Sequence, residues 1–294
     1  MRTGFGYAVL VLATALSAAG CAGKAEAGKP AEQTTTAAAA TPSPKPQAAE
    51  SKRPEPRTPG EFLDRAQEAM SGGHGWTFAV KGKEDLTAQG QTNAASYTAM
   101  VQLTPKPDAF HQKGVSTSKG NHRSEEIFVI GDTAYLKEAG TAWTHSPVTD
   151  PDTQSKVENP VLALRDFGTY LNNPADHLTM TKNSGEVQLQ VTASSKRFPE
   201  VQNRDFMKKV KLELDPTLKQ LKNAGVPVND SQLTLSHLED TLTLDPATHR
   251  ITSHRFTFSV VIPYGQQGIV YSQDVREDSR GTFTGEIRLP AGVR

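Results

Sequence analysis

The segment Arg255-Phe-Thr-Phe-Ser-Val-Val-Ile262 alternates in a way that leaves one reading of its backbone. In an extended chain, Phe256, Phe258, Val260 and Ile262 fall on one face, opposite Arg255, Thr257, Ser259 and Val261. Such a pattern fits an antiparallel strand with one face covered and the other in water. Phe283, Ile287 and Leu289 alternate in the same way with Thr282, Thr284, Glu286 and Arg288. Between Gly, Asn and Pro turns, further strands are expected over 76–82, 95–103, 109–118, 124–138, 177–182, 186–194, 206–214, 232–245, 250–263, 268–277 and 281–290. Gly131-Asp132 is expected to form a tight hairpin within 124–138.

Three helices interrupt this alternation. Thr58-Pro-Gly-Glu61 opens an amphipathic helix with Phe62, Leu63, Ala66 and Met70 near one face, and Ser71-Gly72-Gly73 ends it. Residues 159–172 carry Pro160 in the first turn and a stripe of Val161, Leu162, Leu164, Phe167 and Leu171. A third helix is expected after Asp215 as N-cap and Pro216 as first helical residue, closing at Gly225. The fold class that follows is α+β: one large antiparallel sheet of about 10–11 strands with a few short helices on its concave face. Twist accumulates across so many strands, so the sheet must curl into a half-barrel. Its interior is then either filled by side chains or left open for an apolar guest.

The amino terminus has another character. Arg2, an apolar run from Ala8 to Leu16 and the small residues Ser17 to Gly20 have the anatomy of a secretory signal over 1–20, too short to span a bilayer. The sole cysteine, Cys21, follows directly, with no second thiol to pair with. Ser17-Ala18-Ala19-Gly20-Cys21 resembles the lipobox of bacterial lipoproteins, with Ala18 where that motif usually has leucine. The resemblance implies a diacylglyceryl group on the Cys21 thiol and cleavage just before it. Two acyl chains suffice for stable membrane attachment. Residues 22–58 are mostly Ala, Pro, Thr, Lys and Glu with no aromatic or large aliphatic residue, so they cannot build a core. They read as a tether with a reach on the order of 30 Å, leaving 59–294 as the folded domain. The expected location is the outer face of the cytoplasmic membrane.

With 32 acidic and 32 basic residues, nothing in the composition suggests a nucleic-acid partner, which calls for a basic face with stacking aromatics. Among residues 59–290, the hairpin GDTAYLKEAGTAW with Tyr135 and Trp143, the KVKLELDP segment, TLTLDPATHRI and the closing IRLP together resemble the LolA/LppX type of exported lipoprotein, nearest in texture to the LppX/LprG-like lipoproteins of actinobacteria. This resemblance implies a half-barrel sheet around helices, in a group where several members bind lipid in an apolar cavity.

Enzyme motifs are missing from the sequence. No GxSxG elbow or glycine-rich phosphate loop is present, and the eight histidines lack the helical spacing of a metal pair. Asp215 and Asp245, in repeated Leu-Asp-Pro triplets, read as a helix cap and a turn former rather than as paired catalytic carboxylates. No cofactor, metal or catalytic residue is therefore expected. Ligand-lining residues are sought on the covered face: Trp76, Phe78, Met100, Phe128, Phe256, Phe258, Val260, Tyr271 and Phe283. Two functions fit: a tethered carrier of a lipid or other hydrophobic ligand, or an interaction module that binds an envelope protein. The aromatic content of 6% leans toward the second, because a roomy lipid cavity needs many large apolar liners.

Overall fold

The computed structural model describes residues 54–106, 108–265 and 268–293; the signal segment, Cys21 and most of the tether lie outside the described residues. The chain begins with α1 (Pro59–Met70) and runs through β1 (Gly75–Ala88), β2 (Gln91–Pro105), β3 (Asp108–Ser118), β4 (Asn121–Ile130), β5 (Thr133–Glu138) and β6 (Thr144–Pro147). Two helices, α2 (Pro151–Gln154) and α3 (Leu162–Asn172), lead to β7 (Thr179–Asn183) and β8 (Glu186–Arg197). Then come α4 (Phe198–Val201), α5 (Phe206–Asn223), β9 (Thr234–Leu244), β10 (Ile251–Ile262) and β11 (Ile269–Phe283).

All eleven strands join one antiparallel sheet in the order β6-β5-β4-β3-β2-β1-β11-β10-β9-β8-β7. The first six meander outward from β1. The chain then crosses by way of α2 and α3 to the opposite edge and meanders back, so that β11 closes against β1. The edges β6 and β7 are not paired with each other, which leaves a curved, open half-barrel. Tight turns set the register. Gln89-Gly90 and Lys119-Gly120 carry successive positive φ angles of 51° and 76°, and 50° and 76°, the backbone that two-residue hairpins require.

Local chemistry places the helices. Thr58 and Glu61 form a capping box at the start of α1, with Pro59 in the first turn. At its other end, the Trp76 indole Nε1 donates to the Met70 carbonyl at 2.8 Å and ties α1 to β1. The fully buried Asp176 fixes the corner between α3 and α5: it accepts from Arg204 Nε at 3.3 Å and from the Asp205 N–H at 3.1 Å. The inward faces of β1–β4 and β8–β11 and the sheet-facing sides of α1, α3 and α5 form one continuous core, against which Leu136 of β5 and Met180 of β7 pack.

Three sequence expectations are corrected. Residues 206–214 are helical, the first half of α5, and Asp215 and Pro216 lie inside that helix instead of starting one. Phe206, Met207, Val210, Leu214, Leu218 and Leu221 make a buried stripe, and this packing overrides the missing N–H of Pro216. Gly225, at φ 84°, does follow the helix end as expected. The strand expected over 281–290 stops at Phe283. Beyond it the chain packs Ile287 and Leu289 with Phe128, Trp143 and Tyr135 on the convex face. Five α-helices occur among the described residues, not three, because α2 and α4 are single turns too short to show a period.

Candidate functional site

The pairing register decides what the concave face presents. Trp76, Phe78 and Val80 point inward from β1, as do Phe256, Phe258 and Val260 from β10 and Tyr271 from β11, all nearly inaccessible to solvent. They are core residues beneath the helices. Met100, Phe128 and Phe283 correct the expectation of a shared covered face. Met100 pairs with the outward Ala79 and is 46% exposed, whereas Phe128 and Phe283 belong to the convex cluster under the C-terminal segment.

Polar groups occupy the middle of the inward face, and the sequence reading missed them. On β11, Gln273 and Glu277 take inward positions beside Tyr271 and Val275. Glu84 of β1 stands directly across from Gln273, and His254 of β10 directly across from Glu277. Asp240 of β9 completes the floor. Above it, α3 supplies Asp166 and Tyr170 one turn apart, and α5 supplies Lys209, Glu213 and Thr217 at successive turns.

The remaining wall is the connector between α2 and α3. Gln112 of β3 donates through Nε2 to the Lys156 carbonyl and to the Tyr97 hydroxyl, both at 2.8 Å, and its Oε1 accepts from the Glu158 N–H at 3.0 Å. Lys156 Nζ reaches Glu138 at 3.0 Å and Glu125 at 3.5 Å. These contacts press the connector onto the sheet and aim Glu158 at the same polar centre. Glu158, Asp166, Lys209 and Glu213 surround this polar centre and keep partial exposure.

Two subsets differ in how far they are satisfied. His254 is clamped, with Nδ1 2.6 Å from Glu277 and Nε2 2.8 Å from Asp240, which also accepts from the Tyr170 hydroxyl at 3.0 Å. Burial and Lys209 oppose the imidazolium, but Asp240 and Glu277 outweigh them and raise His254 to about 9. Burial would likewise raise Asp240, yet Lys209 and His254 hold its carboxyl below the usual range. This subset is a locked ion cluster.

The second subset is open. Glu84 accepts from the Tyr271 hydroxyl at 3.1 Å, and Glu213 accepts from Gln273 Nε2 at 3.0 Å. With its amide nitrogen committed to a carboxylate, Gln273 is left with an unpartnered Oε1, although the residue is 2% exposed. Thr217 Oγ1 approaches the Tyr271 hydroxyl without reaching hydrogen-bond geometry. Burial pushes Glu84 and Glu158 well above the usual carboxylate range, and the nearby Glu213 adds to both shifts. Glu213 is raised too, again mainly by burial. Among the described residues, no group of three or more His, Cys, Asp or Glu is arranged to hold a metal ion.

A signal for these residues exists in hindsight: Asp240, His254, Gln273 and Glu277 break the apolar parity of β9, β10 and β11 at inward positions. Asp245, read as a turn former, accepts through Oδ1 from the Ala247 and Thr248 N–H groups at 2.9 and 2.6 Å.

No protein-family model matches the chain, and no curated protein matches it. Among solved structures it is similar to the ywiB protein of Bacillus subtilis, at 6% identity and a TM-score of 0.22 over 70% of this chain and 94% of that one. A DUF1329 family protein of Desulfovibrio piger aligns at 8% identity and a TM-score of 0.27, covering 75% and 92%. A putative outer membrane lipoprotein-sorting protein domain of Vibrio parahaemolyticus aligns at 11% identity and a TM-score of 0.24, covering 79% and 93%.

Proposed function

We propose that this chain is a lipid-anchored binding protein of the outer face of the cytoplasmic membrane, tethered through Cys21, that holds an amphipathic ligand in the cleft between sheet and helices. One observation carries the reading. A buried amide with an unpartnered oxygen, Gln273, lies in a cleft with Glu84, Glu158 and Glu213, and a face needed only for packing would not keep that cost. Phe256, Phe258 and Tyr271 adjoin these groups on the same face and offer contact for an apolar portion.

Binding fits these groups better than catalysis does. Both ring nitrogens of His254 are committed to carboxylates, so no nitrogen is free to pass a proton.

A second reading, an interaction module with a filled interior, is favoured by the close packing of the apolar inward residues under the helices. Native mass spectrometry of the chain carrying Cys21→Ser, with organic extraction of what copurifies, separates the two. A stoichiometric small-molecule adduct is the expected result. A mass that stays empty after incubation with lipid vesicles would leave the interaction module.

A further inference from the structure

We infer that the open half of the cleft, formed by Glu84, Glu158, Glu213 and Gln273, is a site for the primary ammonium group of an amine-bearing ligand. The inference rests on the reading of the cleft as a ligand site and names the chemistry that site selects.

The first support is an imbalance of donors and acceptors. Glu84 receives one hydrogen bond, from Tyr271, and Glu213 one, from Gln273. Among the described residues, none donates to the Glu158 carboxylate or to Gln273 Oε1. Burial favours the neutral forms of these carboxyl groups, and an arriving ammonium would ionise them again, each carboxylate then having capacity for several donors. A primary ammonium supplies three N–H donors and a positive charge in one small group.

The second support is charge. Six carboxyl groups face the cleft, from Glu84, Glu158, Asp166, Glu213, Asp240 and Glu277, against two cations, Lys209 and His254. His254 is consumed by Asp240 and Glu277. Lys209 sits with Nζ 4.2 Å from the centre of the Phe256 ring and forms no ion pair among the described residues, so it neutralises the acids only at a distance. An anionic head group would meet the same carboxylates and be repelled.

The third support is position. Glu84 and Gln273 are register partners on adjacent strands, and Phe258 is the next residue in the same cross-strand row. An ammonium held by the first two would direct an attached alkyl chain along Phe258 and Tyr271. Those rings stand 5.7 Å apart by their centres.

The test uses the Cys21→Ser chain and three probes of equal length: octylamine, octanol and octanoate, titrated by isothermal calorimetry at pH 7. Octylamine is expected to bind about tenfold or more tighter than octanol, with no binding of octanoate. Glu213→Gln and Glu158→Gln, each near-isosteric, are expected to remove the amine's advantage while leaving octanol unchanged. Near-ultraviolet circular dichroism confirms that both variants keep the native fold. Octanol or octanoate binding as tightly as octylamine, or an amine advantage that survives both substitutions, overturns the ammonium assignment and leaves the cleft standing as a ligand site. Binding of none of the three, together with an empty native mass, overturns the ammonium assignment and the ligand-cleft reading alike and makes the site a home for ordered water.

Discussion

Asp240 accepts from His254 Nε2 at 2.8 Å and from the Tyr170 hydroxyl at 3.0 Å, and it is fully buried. Removing one partner from such a cluster strands the charge of the other in protein. Asp240→Asn leaves the imidazolium with Glu277 alone and the Tyr170 hydroxyl with a weaker acceptor. Its expected cost is about 3–5 kcal/mol, read from urea unfolding at pH 7. Tyr170→Phe deletes one hydrogen bond to a carboxylate and is expected to cost about 1.5–3 kcal/mol in the same assay. A loss within error for Asp240→Asn would show that the cluster is solvated rather than buried.

At the scale of elements, the clearest lesson comes from α5. Phe206, Val210 and Leu214 fit a strand parity as well as a helical stripe, and Asp215-Pro216 imitates a helix start, so the segment read as strand followed by a new helix. Packing of Met207, Leu218 and Leu221 settles it, and packing partners are what a local pattern does not contain. In contrast, β10 was legible because every inward position but one is apolar. The exception, His254, was part of the site. Gln273 and Glu277 escaped notice because period-two reasoning searches for apolar residues and passes over polar ones at the same parity. The helix also gives a sharp expectation. Pro216 cannot donate to the carbonyl one turn earlier, so Pro216→Ala is expected to raise stability by about 1–3 kcal/mol, measured by the shift in urea midpoint. A decrease would mean that the ring itself packs in a way alanine cannot replace.

For the molecule as a whole, the buried ionisable groups set how stability follows pH. His254 is raised from 6.5 to about 9, so its contribution is complete below pH 6.5 and is lost as pH rises through about 9. Glu84 and Glu158 are raised above 4.5, so the fold favours their protonated forms and pays increasingly as pH climbs past that value. Asp240 and Asp274 are lowered below 3.8, by Lys209 and His254 overcoming burial in one case and chiefly by the Arg255 hydrogen bond in the other; their contributions are present above 3.8 and lost as pH falls. The melting temperature of the Cys21→Ser chain is therefore expected to peak between about pH 4.5 and 6.5 and to decline toward pH 9. Scanning calorimetry across that range checks it, and a melting temperature that climbs from pH 6 to 9 would contradict it.

The cleft over β1, β10 and β11 is proposed to hold a ligand. The most direct measurement is a high-resolution crystal structure of the protein as isolated from its host, with attention to the space bounded by Glu84, Glu158, Glu213 and Gln273. The expected result is continuous non-protein density there, with a donor atom within hydrogen-bond distance of Gln273 Oε1. Isolated water peaks in that space, with Gln273 Oε1 bonded to one of them, would contradict the claim.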